Sequence, residues 1–434
     1  MLSKKMNAET KRRRNNLLFM LAVFALLIVI GLENILSSTF VLDDGGSIFG
    51  YLGKQLGFLV MGIAAGALVW HAGYQFLRRW CGLFAVISAL LLLAVKAVGI
   101  TVNGAQRWLG YGAVSFQPSE FAKLAAIVCM ASSLAFYLER HGNRELMNLH
   151  LRNLLRLTRA EAVFPPLKRF FERLFRYYAF LIFLPPAILA LLVFTQPDAG
   201  TGIVIFMPAA LMFFCSGMPL FHFKLTRRRV IIIGIAVVVL GGLFCSLLTH
   251  SYQWTRIVTW IDPWSYSQSS GYQSVQSLIA IGSGGVFGQG LGTGISKFNY
   301  LPEAHTDFAF AIIAQEWGFI GAIIVPVLFC CLLSLGVRTA GQCRDYFGMF
   351  LSLGITFSLC GQGMVNMSMV TNLFPVVGVP LPFISYGGSS LILNIISATL
   401  LLRIAYDNFC DAERRQAGPL GQKPVWSIRE GVSR

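Results

Sequence analysis

The chain has 434 residues, of which 56% are hydrophobic and 12% charged, and its mean hydropathy is +0.66. Because soluble proteins of this size do not carry so much apolar sequence, these values exclude a soluble globular protein and indicate a membrane protein with several spans. A formal net charge of +16 could indicate a nucleic-acid-binding protein. The positions of the charges along the chain distinguish nucleic-acid binding from an orientation signal in a membrane protein.

Ten apolar runs predict ten transmembrane helices, each close to the roughly 20 residues that cross a bilayer. The runs are Leu17–Leu32, Leu56–Tyr74, Cys81–Ile100, Ser119–Leu138, Tyr178–Thr195, Gly202–Phe221, Val230–Leu248, Phe308–Val337, Phe347–Met369 and Phe383–Ile404. The first run follows basic residues but lacks a convincing cleavage site, so it is interpreted as a retained helix. The predicted fold class is an all-α integral membrane protein, with residues 1–434 forming one polytopic domain.

Lysine and arginine concentrate on one predicted side of the membrane. The N-terminus (1–16), the loop 139–177 and the tail 405–434 are basic, and all but six of the 35 lysines and arginines fall on that side. By the positive-inside rule both termini are predicted to be cytoplasmic, with the basic segments facing membrane lipids. This bias accounts for the net charge without nucleic acid. The loop 139–177 is predicted to contain an interfacial amphipathic helix.

The predicted outer loops collect unusual polar residues. The loop after span three contains Arg107, and Ser119 at the start of span four is the predicted N-cap of that helix. Glu120 and Lys123 lie one turn apart on span four, where charges are costly unless they are paired or face water. They are either a structural ion pair or part of a site. Asp198 interrupts the apolar sequence after span five, beside proline and glycine.

A large outer loop, 250–306, is predicted between spans seven and eight. Its glycine-rich run, 282–294, lacks the Gly-Lys-Ser/Thr ending of a phosphate loop, so we predict no nucleotide site there. Two other roles of this run stay open: a flexible backbone that approaches a diphosphate, or a lid. The last outer loop, 375–390, is apolar yet rich in helix breakers, which predicts a segment that enters the membrane while buried in protein.

Asp307 is the strongest candidate for chemistry. It stands directly before the apolar run that begins at Phe308, with Glu303 and His305 within one helical turn. A carboxylate at such an interface loses water, which raises its pKa into the range of a general base. The alternative is that Thr306 or Asp307 only caps the following helix.

Several motifs together resemble the SEDS proteins, the RodA/FtsW/SpoVE group of bacterial cell-wall polymerases, over essentially the whole chain. The motifs that carry the resemblance are Asn103–Gly110, Gln117–Lys123, Gln196–Gly202, Asp262–Trp264, Tyr272–Gly294, Leu301–Phe308 and Pro380–Ser390. The resemblance implies an inverting peptidoglycan glycosyltransferase that polymerises lipid II, an undecaprenyl-diphosphate-linked disaccharide peptide. The reaction would take place at the outer face of the bacterial cytoplasmic membrane.

The resemblance also implies roles for individual residues. Asp307 matches the family's essential acid, Glu120 and Lys123 line its cavity, and the loop Ser385–Ser389 closes over it. Gln315 stands where a second acidic residue is expected, next to Glu316. From the chemistry we expect Asp307 to act as base, and Lys123 and Arg107 to lie near the diphosphate. The complete set of predicted substrate-binding residues is Glu120, Lys123, Arg107, Asp198, Glu303, His305, Ser385, Tyr386 and Ser389.

A divalent cation, Mg²⁺ or Mn²⁺, fits the diphosphate chemistry, although no ligand set can be assigned. The resemblance implies a class B penicillin-binding protein as partner, in cell elongation, division or sporulation. A lipid II flippase is the main alternative, because broken helices and membrane-embedded charges also suit a transporter. The predicted inner loops are basic but otherwise plain, which favours an enzyme over a flippase. A scaffold protein would not need buried carboxylates.

Overall fold

The computed structural model describes residues 2–39, 50–102, 105–111, 114–140, 178–196, 198–216, 252–294, 296 and 300–416. The helices in these ranges are α1 (Leu2–Thr39), α2 (Gly50–Ala72), α3 (Gln75–Arg79), α4 (Cys81–Val98), α5 (Pro118–Arg140), α6 (Tyr178–Phe194), α7 (Ala199–Cys215), α8 (Tyr252–Ile261), α9 (Tyr272–Ser283), α10 (Ala309–Gln342), α11 (Tyr346–Val370) and α12 (Gly388–Gln416).

Within the described ranges, seven helices are long and apolar enough to cross a membrane, and α6 and α7 contain shorter apolar stretches. Of the predicted all-α integral membrane protein, the mostly helical membrane architecture is thereby confirmed. Such long apolar helices form because a bilayer offers no partners to the backbone, so each helix must satisfy its own N–H and C=O groups. The predicted span 230–248 and the amphipathic helix predicted in the loop 139–177 fall outside the described residues. The number of ten spans therefore stays a prediction.

The helix α11 lies at the centre of the bundle. In the most apolar stretch of α11, 72% of the residues are buried. The corresponding share is 17% in α2 and in α4, which therefore lie at the periphery. It packs on α5, α7 and α10, and small residues allow close contact, as is usual between membrane helices. A Cβ added to Gly354 would lie 2.5 Å from Ile127 Cγ2 on α5, and one added to Gly363 would lie 2.9 Å from the Phe329 ring on α10.

A small antiparallel sheet follows α4, so the prediction of an all-α protein is wrong for residues 100–116. Strands β1 (Ile100–Val102), β2 (Ala105–Tyr111) and β3 (Val114–Phe116) pair in the order β1-β2-β3. The Asn103-Gly104 dipeptide between β1 and β2 is typical of short hairpins and was the available signal. The prediction that Ser119 is the N-cap of the next helix is also wrong, because α5 begins with Pro118, a residue favoured at the first helical position, and Ser119 therefore lies inside the helix.

The helix α10 is broken near its beginning. Gly318 has φ 68° and ψ −158°, a conformation that is not helical and that is open to glycine alone. The glycine-rich run pairs with the backbone at this break: Gln289 N donates to Gln315 O (3.0 Å) and Phe319 N donates to Gly285 O (2.9 Å). The predicted span 308–337 is thus two helical pieces, and the run replaces hydrogen bonds that the break removes.

Close packing explains the glycines of this run. A Cβ added to Gly284 or Gly288 would collide with the carbonyl groups of Ala314 and Glu316. The run is therefore a backbone partner of α10, and the interpretation as a flexible lid or diphosphate loop is not supported by its contacts.

The segment 371–387 connects α11 to α12 without forming a helix, and its central residues Leu381, Phe383 and Ile384 are buried. This agrees with the predicted buried, non-helical loop. Ser385 N donates to Leu381 O (3.0 Å), and Leu381 N donates to Ser385 Oγ (2.8 Å). Because this turn closes before the helix starts, α12 begins at Gly388, five residues later than predicted.

Candidate active site

Asp307 lies in the turn 301–308 that precedes α10. It does not cap the helix: Phe308 occupies the N-cap position, with no side-chain capping bond. Thr306 Oγ1 donates to Glu303 Oε2 instead (2.7 Å). No residue in the described part of the chain donates a hydrogen bond to the Asp307 carboxylate, which is half-buried. The capping interpretation is therefore wrong, and the carboxylate remains available to a ligand.

The surroundings of Asp307 suit a base that works near neutral pH. Burial raises the pKa of Asp307 from 3.8 to about 7, and the negative charge of Glu303 acts in the same direction. Arg107 and Arg256 oppose this and hold the pKa lower than burial alone would. A general base is most effective when its pKa lies close to the working pH.

The backbone around Asp307 is fixed by α11. Asn366 Nδ2 donates both to Asp307 O (2.7 Å) and to Val379 O (2.7 Å), so one side chain ties the turn to the segment 371–387. Gly378 has φ +66°, and a Cβ added there would lie 3.3 Å from Asp307 Oδ2. The carboxylate therefore packs directly over the backbone of that segment.

The predicted Ser-Tyr-Gly-Gly-Ser loop holds the same turn from the other side. Ser385 Oγ donates to Thr306 O (2.5 Å), and Tyr386 N donates to His305 O (2.9 Å). Ser389 Oγ accepts from Gln117 N (3.3 Å), which connects the start of α12 to the start of α5. These three predicted residues thus position backbone within the site region.

His305 belongs to an aromatic group beside the turn. Its ring centroid lies 5.6 Å from that of Tyr51 and 5.8 Å from that of Tyr386, and the two tyrosine rings are 5.3 Å apart. Lys54 Nζ lies 5.6 Å from the Tyr51 centroid. Burial lowers the pKa of His305, so the imidazole is neutral at pH 7. Tyr51 was missed from the sequence because it lies far from the motif along the chain.

Arg107 and Asp198 form a second charged group. Asp198 is 2% exposed and caps α7 by accepting from Thr201 N (3.1 Å). Arg107 Nε on β2 lies 3.5 Å from Asp198 Oδ2. Burial raises the pKa of Asp198, and the Arg107 charge opposes the increase. Because both groups also act on the pKa of Asp307, the sheet and α7 bring them to the same site.

Glu120 and Lys123 are buried in an ion pair with Nζ 2.8 Å from Oε2. Lys123 Nζ also donates to Gln362 Oε1 (2.6 Å), and Gln362 Nε2 donates to Pro380 O (2.8 Å). The pair therefore connects α5 through α11 to the segment that packs on Asp307. This geometry favours the structural interpretation of the pair, while a contact with substrate stays a prediction.

Arg256 is a site residue that the sequence analysis did not select. It lies on α8, and its guanidinium donates to Val376 O while its charge lowers the pKa of Asp307. Arg256 was one of the six cations outside the basic side, and this position was the signal that could have identified it.

The departure at Gln315 has a structural explanation. Gln315 Nε2 donates to Ser283 Oγ (3.0 Å), and its Oε1 accepts from Ser296 N (3.3 Å). Glu316 is 3% exposed, with Ser37 Oγ 2.6 Å and 2.7 Å from its two carboxylate oxygens. Both residues hold elements around the break in α10.

The described residues contain no group of three or more His, Cys, Asp or Glu side chains that could hold a metal ion. The divalent cation expected at the diphosphate therefore stays a prediction without an assigned ligand set.

Comparisons with known proteins find relatives along nearly the whole chain. A family model described as a cell cycle protein, FtsW/RodA/SpoVE, matches residues 17–409. Stage V sporulation protein E of Bacillus subtilis (strain 168) is 35% identical over 400 residues, covering 91% of this chain and 98% of that protein. A probable peptidoglycan glycosyltransferase FtsW of Geobacter sp. (strain M18) is 36% identical over 352 residues, covering 81% and 84%.

Solved structures share the fold. One is a chain of a peptidoglycan synthase complex that is described as coordinating polymerization and crosslinking. It aligns with a TM-score of 0.67 and 25% identity, covering 90% of this chain and 97% of that chain. The rod shape determining protein RodA of Thermus thermophilus aligns with a TM-score of 0.57 and 24% identity, covering 90% and 96%.

Proposed function

Because the chain belongs to the FtsW/RodA/SpoVE family of cell cycle proteins, we propose that it polymerises lipid II with Asp307 as the general base. The chain is a peptidoglycan glycosyltransferase, the activity for which its FtsW relatives are named. The observation that carries the assignment of the base is the Asp307 carboxylate. It is half-buried, accepts no hydrogen bond from a described residue and has its pKa raised to about 7.

The reaction is a single displacement. The 4-hydroxyl of one lipid-linked disaccharide attacks the anomeric carbon of another, so that a C–O bond forms as the bond to the lipid diphosphate breaks. Asp307 accepts the hydroxyl proton in this step. The anomeric configuration inverts because one displacement occurs and no glycosyl-enzyme forms.

The leaving diphosphate carries the developing negative charge. Arg107, which is 24% exposed at its side chain, and Arg256 act on Asp307 electrostatically and are the cations best situated for that charge. Lys123 is already bound to Glu120 and Gln362, so its first role is to support the segment 371–387.

The substrate reaches the site from the membrane. We place the protein in the bacterial cytoplasmic membrane with both termini in the cytoplasm, as the distribution of its basic residues predicts. A class B penicillin-binding protein is the proposed partner, and the similarity to a chain of a peptidoglycan synthase complex supports this. The cellular role is elongation, division or sporulation.

Purified protein in liposomes tests the proposal, with wild type compared with Asp307→Ala in the presence and absence of a partner transpeptidase. We expect glycan polymer from wild type and none from the variant, with unchanged membrane insertion. Polymer from both proteins would contradict the role of Asp307. Lipid II that crosses the bilayer without polymerising would favour the flippase.

A further inference from the structure

A polar cavity lies beside the candidate active site, and of its lining residues the chemistry above uses only Arg256. Its volume is about 360 Å³, and it lies between α8, the start of α9 and the segment 371–387. The lining includes Arg256 and Trp260 of α8, Tyr272, Gln273 and Ser274 of α9, and also Pro302 and Val376. We propose that this cavity binds a sugar unit of the growing glycan strand, next to the position where the strand is extended.

Three consecutive residues give the cavity its binding capacity. Tyr272, Gln273 and Ser274 carry hydroxyl and amide groups, and no described residue forms a hydrogen bond with these side chains. Ser274 is nevertheless 6% exposed. None of their polar atoms is among the fully buried side-chain atoms without a partner, so solvent reaches these groups through the cavity and a ligand can take the place of that water. Hydroxyl and acetamido groups of amino sugars offer both the donors and the acceptors that they need.

Trp260 provides an aromatic wall that is held in place. Its Nε1 donates to Asn372 O (3.0 Å), and Asn372 Nδ2 donates back to Trp260 O (3.2 Å). A ring fixed in this way loses little entropy when a ligand packs against it. Aromatic side chains combine a large apolar face with a polar edge, which suits the mixed surface of a sugar ring. The many hydroxyl groups of the lining make the cavity unsuited to a polyprenyl chain.

Three lining residues connect the cavity to Asp307. Arg256 acts on the pKa of Asp307, Pro302 belongs to the same turn 301–308, and Val376 lies two residues before Gly378, which packs against the carboxylate. A sugar in the cavity is therefore a neighbour of the reacting sugars. A site that retains the strand after each addition allows several additions before the strand dissociates. This inference rests on the proposed function, because it takes glycan as the product.

Variants of the cavity test the inference through product length. The cavity variant combines Gln273→Ala with Tyr272→Phe. The matched control combines Gln268→Ala with Tyr266→Phe, because Gln268 and Tyr266 are exposed nearby and do not line the cavity. Thermal unfolding and gel filtration verify that each variant is folded. We expect the cavity variant to shorten the mean strand several-fold, while the rate of the first coupling between two lipid II molecules stays within about twofold of wild type. The control is expected to make strands of wild-type length.

A binding measurement separates this inference from the proposed function. A soluble tetrasaccharide of alternating N-acetylglucosamine and N-acetylmuramic acid is titrated into wild type and both variants, with Trp fluorescence as the readout. Weaker binding to the cavity variant alone supports the subsite, even if wild type makes no polymer and the proposed function fails. Equal binding and equal strand length in all three proteins would overturn it. If the cavity variant loses only its binding to the partner transpeptidase, with glycan binding and strand length unchanged, the cavity belongs to a protein partner and the inference is overturned.

Discussion

Replacing Asp307 by asparagine should stabilise the fold while it removes the base. Asparagine resembles the protonated acid, so the variant lacks the cost of an ionised carboxylate in this environment. The increase in the pKa of Asp307 from 3.8 to about 7 corresponds to roughly 4 kcal/mol, and partial access to water lowers this to about 2–3 kcal/mol. Catalytic groups often lower the stability of the fold, so their replacement commonly raises the free energy of unfolding while activity is lost.

The sign follows from proton linkage. The folded state keeps the proton on Asp307 up to about pH 7, whereas the unfolded state releases it near pH 4, so wild type loses stability as the pH rises between these values. The free energy of unfolding of Asp307→Asn relative to wild type should therefore increase by about 1–2 kcal/mol from pH 5 to pH 8.

Thermal unfolding in nanodiscs at both pH values measures this difference. Asp262→Asn serves as the control, because Asp262 is exposed and hydrogen bonds from Ser265 and Trp264 lower its pKa. This control should show no gain at pH 8. A difference between Asp307→Asn and wild type that does not change with pH would refute the reasoning about Asp307.

Three further variants test the surroundings of the site. Arg256→Gln should raise the pKa of Asp307 further, because the arginine charge lowers it. The midpoint of the rate against pH should move to higher pH, and the plateau rate should fall because a cation for the leaving diphosphate is lost; an unchanged midpoint would contradict this. Gln362→Leu removes an acceptor from the buried Lys123 and should lower the free energy of unfolding by about 1–3 kcal/mol, with a Tm equal to wild type as the contrary result. Gly318→Ala should cost at least about 1–3 kcal/mol, since φ is +68° there; wild-type yield and Tm would show that the break in α10 tolerates a side chain.

Much of the helical architecture could be predicted because membrane helices are encoded by length and hydropathy. Apolar runs such as Tyr178–Thr195 coincide with helices to within one or two residues. The sheet at 100–116 was missed because three short strands give little periodic signal next to an apolar run. The break at Gly318 was missed because it depends on backbone partners in the glycine-rich run, about 30 residues earlier along the chain.

Asp307 could be selected from its position before an apolar run, whereas the groups around it could not be derived from spacing. Arg256 reaches the site through the packing of α8 on the segment 371–387. Gln362 and Asn366 looked like ordinary polar residues of an apolar helix, and only the fold shows that they bind loop carbonyl groups. Tertiary contacts of this kind leave no local pattern in a single sequence.

The most direct test of the central claim is the pH dependence of the initial rate of lipid II polymerisation, measured for wild type and Asp307→Asn. A base with a pKa of about 7 predicts a wild-type rate that increases about tenfold per pH unit below pH 6 and levels off above pH 8. The variant should remain slow at every pH. A wild-type rate that is constant from pH 5 to pH 8, or the same pH profile in both proteins, would contradict the account.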